Sequence, residues 1–394
     1  MKKILIACRA YFPDIAGGGE ISTKTLAENL AERGYDVEVL AISKKTEDDV
    51  ICDIKVHRVK YENLYWSYDN KNIGKLKKLA WHIIDSNNVF FKKKLSEVLD
   101  SLKPDVIITS TIEDISSVIW KVAKSKRIRT VHILRSYSLL CINANMFKKD
   151  NCKNRCLSCS LITRMKKENT KFVDDVVGIS QFVLDEHLKY DYFPNANKHV
   201  IYNICLDRSK EITIKSSKNK TLKIGYLGRI HKTKGIDLIM DSLSFLDNDL
   251  KEKIEVLVAG IGDESYVNEL KETSIRSNTK VEFLGTMNAT NFLDSIDILI
   301  VPSKWNEPFG RVVIESIGRK TPVIAKSMGG IPELLLKNRD FLFDSAEDLS
   351  LILSKYIKGQ VDFDFNLEDF TSDSIMHNWE LLLENERGNN EVYL

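Results

Sequence analysis

Short runs rich in valine and isoleucine alternate with helical stretches along almost the whole chain, and this alternation constrains the fold most. Buried parallel strands have continuous apolar sequences, and strands that alternate with helices form a parallel sheet with helices on both faces. The first half of the chain therefore predicts a doubly wound domain. Its strand candidates are KILIA (3–7), DVEVLAI (36–42), DVIITS (105–110), RTVHIL (129–134), DVVGIS (175–180) and HVIYN (199–203).

The alternation starts again after a polar, linker-like stretch, LDRSKEITIKSSKNK, at residues 206–220. A chain of 394 residues is also long enough for two domains. We therefore predict an α/β protein with two Rossmann-like, doubly wound domains that face each other across a cleft, at 1–205 and 206–370. A helix at 371–394 returns toward the N-terminal domain. The strand candidates of the second domain are LKIGYLG (222–228), KIEVLVAG (253–260), KVEFLG (280–285), DILIVPS (297–303) and TPVIA (321–325).

Charge and composition argue against nucleic acid as the main partner, a membrane span and a secreted protein. The formal net charge of +2 is too small to indicate nucleic acid as the main partner. No apolar run approaches the roughly 18 residues that span a bilayer. The apolar start of the chain ends at Arg9, so it predicts a buried strand rather than a signal peptide. Seven cysteines, an odd number without an export signal, indicate a reducing cytoplasm.

Glycine and basic residues mark the loops after two strand candidates, and ligands of doubly wound sheets bind at such carboxyl ends. Three glycines at 17–19 precede a helix and allow close approach of a ligand, although a plain turn would explain them equally well. Arg229 and Lys234 follow the strand YLG. Two cations there fit a ligand with two phosphates, whereas the alternative is an exposed basic turn. AGIGDE (259–264) lacks the full G-x-G-x-x-G pattern, which argues against a dinucleotide dehydrogenase.

Two glutamates, Glu307 and Glu315, flank a predicted helix start in EPFGRVVIESIG. If the helix begins near the Phe-Gly pair, its free N–H groups form an anion site beside Glu307. Glu315 then lies at most ~12 Å further on, at about 1.5 Å per residue. A nucleotide sugar spans a similar distance, so one carboxylate can bind the ribose and the other the sugar. Taken alone, Glu315 would be a solvated helix residue.

Several of these segments together resemble a known family. GRIHKTKG, AGIGDE, VEFLG, PSKWNEPFGRVVIE and TPVIAKSMGGIPE resemble the donor domain of family 4 retaining glycosyltransferases, which have the GT-B architecture. The resemblance covers most of residues 1–350, and it implies that the domain at 1–205 binds the acceptor and the domain at 206–370 the nucleotide sugar. It is strong in the second half and looser in the first, where GGGE and RTVHIL are the main anchors. Many members of this family have glycine at the position of Lys320, where the helix ends in a left-handed conformation.

The resemblance implies roles for individual residues. Arg229 and Lys234 would hold the donor diphosphate and offset charge on the leaving group, Glu307 would contact the donor sugar near the reacting carbon, and Glu315 the ribose. Gly18 and Gly19 would let the first loop close over the phosphates. His132 would line the cleft beside the sugar, or else be a core histidine with satisfied hydrogen bonds. The helix start at Phe309, Gly310 and Arg311 completes the donor-binding set.

The family also implies a reaction and its partners. It retains the anomeric configuration, by front-face attack in which the departing phosphate receives the acceptor's proton, and it needs no metal for catalysis. The partners would be a nucleotide-diphosphate sugar donor and a glycan or polyprenyl-linked acceptor, in bacterial surface-polysaccharide assembly. A nucleotide-sugar epimerase of the same architecture and a non-catalytic nucleotide-sugar-binding protein are the alternatives. The donor base, the sugar and the acceptor stay open.

A basic, aromatic segment suggests a membrane partner. Residues 60–103 carry nine lysines against five acidic residues, together with Tyr65, Trp66, Trp81, Phe90 and Phe91. Such segments can dock on anionic bilayers, here at the inner face of the cell membrane. The alternative is a solvated face over a core.

Four cysteines lie in an insertion-like stretch, residues 135–171, after the His132 strand. Cys152, Cys156 and Cys159 have C-x3-C-x2-C spacing, and Cys141 lies eleven residues upstream. The pattern predicts a tetrahedral thiolate site for a structural zinc ion, since four thiolates leave no open position for catalysis. Reduced cysteines packed under a loop are the alternative.

Overall fold

The computed structural model describes residues 1–15, 17–69, 73–205, 221–276 and 279–385. The predicted linker at 206–220 and the last nine residues of the chain lie outside these ranges. The chain divides into two compact units. One contains Met1–Phe147, Cys152–Ile204 and Ser372–Leu394, and the other contains Lys148–Asn151 and Cys205–Thr371. Within the described ranges, no helix has the length and apolar character needed to cross a membrane.

The N-terminal unit is built on a sheet in which eight described strands follow the order β3-β4-β2-β1-β5-β6-β7-β8. All neighbours are parallel except the antiparallel pair β3 and β4. The strands are β1 (Lys3–Cys8), β2 (Asp36–Ser43), β3 (Glu47–Ile51), β4 (Ile54–Lys60), β5 (Val106–Thr109), β6 (Arg129–Leu134), β7 (Asp175–Gly178) and β8 (Asn197–Val200). The central strands are apolar throughout because helices cover both faces, and Ile4, Leu5, Ile6 and Ala7 of β1 have no exposed surface.

The helices of this unit connect its strands. They are α1 (Gly18–Glu32), α2 (Lys75–Ser86), α3 (Lys92–Leu102), α4 (Val118–Ser125), α5 (Leu157–Ile162), α6 (Arg164–Asn169) and α7 (Gln181–Leu188). Helix α1 follows β1 and returns the chain to β2, which pairs with β1 in parallel from Lys3 opposite Asp36 to Cys8 opposite Ala41. This is the strand–helix–strand unit of a doubly wound sheet.

The C-terminal unit repeats the architecture with six described strands in the order β11-β10-β9-β12-β13-β14, all parallel. They are β9 (Leu222–Leu227), β10 (Ile254–Ala259), β11 (Lys280–Gly285), β12 (Ile298–Val301), β13 (Val323–Lys326) and β14 (Leu342–Phe343). The helices are α8 (Ile236–Ser244), α9 (Asn248–Lys251), α10 (Glu264–Arg276), α11 (Ala289–Ser295), α12 (Arg311–Gly318), α13 (Ile331–Leu334) and α14 (Ala346–Ile357). The prediction of two Rossmann-like domains is confirmed.

The last helix, α15 (Ser372–Glu384), packs within the N-terminal unit. It buries one apolar face, which includes Trp379 and Leu383. Arg129, at the start of β6, donates hydrogen bonds of 2.9 and 2.8 Å to the carbonyl oxygens of Leu382 and Asn385. The last carbonyl groups of a helix have no partner inside the helix, so this guanidinium supplies hydrogen-bond donors at the C-terminal end of α15.

Candidate active site

Glu307 and Lys234, which the sequence assigns to the donor site, form one ion pair in the C-terminal unit. Lys234 Nζ donates a 2.7 Å hydrogen bond to Glu307 Oε1, and Ser303 Oγ donates to the same oxygen. Burial alone would raise the pKa of the Glu307 carboxyl, but the charge of Lys234 and the hydrogen bonds to the carboxylate lower it. Glu307 is therefore ionised at neutral pH, where it accepts hydrogen bonds and cannot serve as a general acid.

The loop that carries Lys234 is fixed by the glycine that follows it. Lys232–Lys234 forms one turn of 3-10 helix, and Gly235 has φ 70°. A Cβ atom at Gly235 would lie 2.0 Å from the carbonyl oxygen of Pro302, so a side chain does not fit there. The Lys-Gly pair thus holds Lys234 beside the carboxyl end of β12, which is followed by Pro302 and Ser303.

A second close approach holds the backbone of Glu307. Gly329 has φ 60°, and a Cβ atom on it would lie 2.2 Å from the carbonyl oxygen of Glu307. The backbone N–H of Gly330 donates to that same carbonyl oxygen at 2.8 Å. The loops after β12 and β13 therefore pack against each other at Glu307. Sequence reasoning assigned no role to these glycines, and the Gly-Gly pair after a strand was the available signal.

Asn151 is a further site residue that sequence reasoning missed. Its Nδ2 donates a 2.8 Å hydrogen bond to the carbonyl oxygen of Lys304, and its Oδ1 accepts one of 2.8 Å from the backbone N–H of Asn306. These bonds fix the segment that leads from β12 to Glu307. Asn151 belongs to the short piece Lys148–Asn151 of this unit, far from Glu307 in sequence, and no local pattern marks it.

Arg229 lies in the loop after β9 and is exposed. Within the part of the chain that the structure describes, its guanidinium pairs with no carboxylate. Burial, together with the positive charges of Arg229 and Lys234, lowers the pKa of His231. Its Nδ1 accepts a 3.2 Å hydrogen bond from the backbone N–H of Thr233. The structure thus brings the two predicted cations into one loop with a neutral imidazole near both.

Helix α12 begins at Arg311 with Gly310 as its N-cap, close to the predicted start. Its first N–H groups and the positive end of its dipole lie where the sequence predicts an anion site, and anion binding there stays a prediction. The Phe309 side chain is 3% exposed and packs in the core. Arg311 Nη2 donates a 3.0 Å hydrogen bond to Glu315 Oε1, and both side chains are about a quarter exposed. Glu315 is therefore paired with a cation one helical turn earlier in α12, so it is not an isolated, solvated helix residue.

In the N-terminal unit, the glycine loop is organised by a buried carboxylate. Gly18 begins α1, and Glu20, which is 5% exposed, accepts hydrogen bonds from Gly17 N at 3.0 Å and Arg9 Nε at 3.2 Å. A Cβ atom at Gly19 would lie 3.8 Å from the nearest side chain, an ordinary contact. Packing of the described residues therefore does not require glycine at that position. Sequence reasoning missed Glu20, although it completes the GGGE motif.

His132 lies in the core of the N-terminal sheet with 3% of its surface exposed. Its Nδ1 is 2.9 Å from Thr109 Oγ1, and its ring packs edge-on against Trp120 and stacks on Phe193. Burial lowers the pKa of His132 to about 3, so the imidazole is neutral. These surroundings match the alternative of a core histidine, and a role beside the sugar stays a prediction.

Among the described residues, the four cysteines of the predicted zinc site form no disulfide; Cys141 and Cys159 are buried, and Cys152 and Cys156 are half-buried. Burial, together with hydrogen bonds that involve Cys156 and Cys141, raises the pKa of the Cys159 thiol to about 12. Among the described residues, no group of three or more histidine, cysteine, aspartate or glutamate side chains has an arrangement that can hold a metal. Zinc binding by these four cysteines stays a prediction.

Two family models match the chain in succession. The model for Glycosyltransferase Family 4 matches residues 16–205, and the model for Glycosyl transferases group 1 matches residues 207–366. Their border falls close to the border between the two units.

Similar proteins agree with these matches. The chain is 33% identical over 346 residues to an uncharacterized 42.6 kDa protein in the cps region of Klebsiella pneumoniae, covering 86% of this chain and 90% of that protein. It is 25% identical over 355 residues to an uncharacterized glycosyltransferase of Methanocaldococcus jannaschii, covering 84% and 82%. The crystal structure of Anabaena HepE in complex with UDP and glucose has a similar fold, with a TM-score of 0.65, 17% identity and coverage of 98% and 99%. The chain therefore belongs to the family 4 glycosyltransferases and is an enzyme of GT-B fold that transfers a sugar.

Proposed function

We propose that this enzyme transfers a sugar from a nucleoside-diphosphate sugar to a glycan or polyprenyl-linked acceptor, with retention of anomeric configuration. The observation that carries the donor assignment is the ion pair of Lys234 with Glu307, just before the N-terminus of α12, in the unit that also carries the exposed Arg229. Two cations match a ligand with two phosphates, Arg229 by a bidentate fork and Lys234 as a point charge. The free N–H groups of α12 add to this anion site.

The same residues have distinct tasks in the transfer step. Arg229 and Lys234 stabilise the negative charge that develops on the departing diphosphate, and such electrostatic stabilisation often supplies most of the rate acceleration of an enzyme. Glu307 stays ionised and accepts hydrogen bonds from the donor sugar near the reacting carbon. The acceptor oxygen bonds to that carbon on the face from which the phosphate leaves, and its proton passes to the departing phosphate oxygen. Glu315, positioned by Arg311, binds the ribose hydroxyls.

The relatives support the class of donor and the biological setting. The HepE crystal contains UDP and glucose, so a UDP-sugar is the first donor to test. The Klebsiella relative is named for its cps region, which supports a role in surface-polysaccharide assembly. Both family models describe glycosyl transferases, which argues against the epimerase and the non-catalytic alternatives.

A panel of nucleotide sugars tests the donor assignment. UDP-, GDP- and ADP-sugars carry two phosphates and CMP-sugars carry one, so the unfolding temperature should rise with a member of the first group only. A ligand that binds the native state raises its apparent stability by mass action, about 2.7 kcal/mol at a hundred times Kd. Arg229→Ala should abolish the shift. A shift with CMP-sugars alone, or an equal shift in the variant, would refute two-phosphate binding at this loop.

We also infer that the enzyme docks on an anionic membrane surface through helix α2 and the loop after it. One face of α2 is buried through Trp81, Asp85 and Ser86. The opposite face and the loop expose large apolar side chains, which are from 41% to 85% accessible: Leu76, Leu79, Ile83, Val89 and Phe90. Exposed apolar residues are ordinary when scattered, but a series of five along one helix face and its loop indicates an interaction surface.

Lysines border these apolar side chains and indicate a partner with negative charge. Lys75, Lys77 and Lys78 on α2, and Lys92 and Lys93 at the start of α3, are exposed. Apolar residues flanked by lysine fit the boundary between acyl chains and anionic headgroups. The aromatic side chains of residues 60–103 contribute less to this exposed surface than the sequence indicates. The structure buries three of them and leaves Phe90 exposed. The buried residues are Trp66, Trp81 and Phe91.

Flotation with vesicles tests this docking face. We expect the protein to float with vesicles that contain anionic lipid at low salt, less at high salt, and not with neutral vesicles. The double variant Leu76→Ser, Phe90→Ser should lose flotation at least tenfold. Ile275→Ser, which changes an exposed apolar residue on α10, is the matched control. Flotation of the double variant at the wild-type level, or dimerisation through this face without vesicles, would contradict the inference.

A further inference from the structure

The N-terminal unit contains an open cavity of about 430 Å³ at the carboxyl ends of β2 and β4. Ligand sites in proteins typically measure about 300–1,000 Å³. A cavity beside Lys166 in the same unit measures about 30 Å³, which is enough for one or two water molecules. Of these two, only the larger cavity can take a sugar.

Two residues that line this larger cavity, Arg58 and Trp66, each have a buried donor atom without a hydrogen-bond acceptor among the described residues. Arg58 is 5% exposed, and its Nη2 donates a 2.6 Å hydrogen bond to the carbonyl oxygen of Phe12. Its Nη1 has no acceptor and lies 3.7 Å from Asp14 Oδ2. Trp66 Nε1 also has none, in a side chain that is almost fully buried. Buried donors are nearly always paired in native proteins, so these two point to a ligand that offers oxygen atoms.

The remaining lining indicates which kind of ligand fits. The rings of Trp66 and Tyr68 stack at 4.9 Å between centroids, with 27° between their planes. Aromatic side chains combine a large apolar face with a polar edge, which matches the C–H face and hydroxyl groups of a pyranose ring. The charged lining residues balance, with three acidic and three basic members: Asp14, Glu47 and Asp49 against Lys44, Lys45 and Arg58. Paired charges of both signs suit hydroxyl groups, which donate to carboxylates and accept from cations, and a lining with balanced charges has no excess of positive charge to favour an acidic sugar.

We propose that this cavity binds an uncharged sugar ring of the acceptor, with the ring against Tyr68 and Trp66 and its hydroxyl groups bonded to Arg58 and Asp49. The inference rests on the proposed function, because it names the acceptor class of that same transfer. The topology supports it. Strands β1, β2 and β4 are parallel, so the cavity and the glycine loop after β1 lie at the same edge of the sheet. The loop after β1 supplies both Asp14 and the glycines.

Adjacent aspartates on β3 provide a matched pair of variants. Side chains alternate along a strand, and Asp49 lines the cavity 3.5 Å from Arg58, whereas Asp48 bonds His57 at 2.8 Å instead. The probes are the neutral methyl glycosides of glucose, galactose, mannose and rhamnose, with methyl glucuronide as the acidic probe, observed by saturation-transfer NMR. We expect at least one neutral glycoside to bind the wild type and Asp48→Asn. Asp49→Asn and Tyr68→Ala should weaken that binding at least tenfold.

Donor binding is measured in parallel, as the thermal shift with the nucleotide sugar, and it should stay unchanged in all three variants. This readout also shows that each variant is folded. Equal glycoside binding by Asp49→Asn and the wild type, no neutral glycoside bound by the wild type, or binding of the glucuronide alone would each overturn the acceptor site. Glycoside binding without any donor shift would overturn the proposed function and leave the cavity as a sugar site.

Discussion

The Glu307 side chain is 14% exposed, and Lys234 supplies the opposite charge at 2.7 Å. A largely buried ion pair differs from a surface pair because removing one partner leaves the other charge desolvated. Ser303 donates to the same carboxylate oxygen, so the carboxylate has a fixed orientation. The position and the ionised state of Glu307 are therefore built into the fold rather than imposed by a substrate.

Substitution of Glu307 tests its role in transfer. Glu307→Gln keeps the shape of the side chain and removes its charge, so we expect a loss of about 10²- to 10³-fold in kcat, as for one electrostatic contact in an active site. The circular dichroism spectrum should not change. Glu252→Gln is the control, since Glu252 is exposed and pairs with no cation among the described residues. Full activity of Glu307→Gln would exclude Glu307 from the chemistry.

The same variant gives a pH prediction. The folded-state pKa of Glu307 is lowered from its ordinary value of 4.5, so its ion pair stabilises the fold above that pH. This contribution is lost as the pH falls through the lowered pKa, because the carboxylate then takes up a proton. The difference in unfolding free energy between wild type and Glu307→Gln should be largest near pH 7 and shrink toward pH 3. Urea unfolding at a series of pH values measures it, and a difference independent of pH would contradict the pairing.

At the scale of elements, apolar runs predict strands well when helices cover both faces of the sheet, because such strands need continuous apolar sequence. The antiparallel strand Glu47–Ile51 was not predicted, since it is an exposed, acidic edge strand without that pattern. Helix α12 starts within two residues of its predicted position because glycine marks its N-cap. It ends at Gly318, and Lys320, two residues on, adopts a left-handed φ of 57° at the position where many family members have glycine.

The place of the candidate site was predictable where charged side chains follow a strand, as for Arg229 and Lys234 after β9, while their role in binding stays a prediction. It was not predictable where the contact joins distant parts of the chain. Asn151 reaches the backbone of Asn306, 155 positions away, and a single asparagine in a polar stretch gives no periodic signal. His132 shows a second limit of prediction from sequence. A histidine within a strand has the same local sequence whether it faces a ligand or, like the buried His132 of β6, packs among core side chains.

A comparison of two glycines tests the packing of the loops around Glu307. Gly329 and Gly285 both have φ between 60° and 70°, so an alanine is strained equally at either position. Only at Gly329 would the new Cβ meet the backbone of Glu307, whereas nothing described lies within 4 Å at Gly285. We expect Gly285→Ala to cost about 1 kcal/mol of stability and to keep activity. Gly329→Ala should cost more and lower kcat at least tenfold, measured by thermal unfolding and transfer assay. Equal activity in the two variants would contradict this role of Gly329.

At the scale of the whole molecule, the first and last described segments of the chain meet within one unit. Lys2 Nζ donates to the carbonyl oxygen of Leu383, and Arg33 forms ion pairs with Asp373 at 3.0 Å and Glu380 at 3.2 Å. Helix α15 therefore completes the N-terminal unit, although it follows the C-terminal unit in sequence. Folding of the N-terminal unit then depends on residues that come after the whole C-terminal unit, so its stability should respond to changes in α15.

Two substitutions in α15 test this dependence. Trp379 is 3% exposed and Leu381, two residues on, is 40% exposed. Trp379→Ala removes a large buried side chain and should cost about 3–5 kcal/mol, whereas Leu381→Ala should be close to neutral. Hydrogen exchange locates the effect, because amides exchange through the opening of their own cooperative unit. Trp379→Ala should lower the protection of β1 and β6 in the N-terminal unit and leave β9 and β12 unchanged. An equal loss of protection in β9 and β12 would show that α15 stabilises the C-terminal unit as well, contrary to its assignment to the N-terminal unit alone.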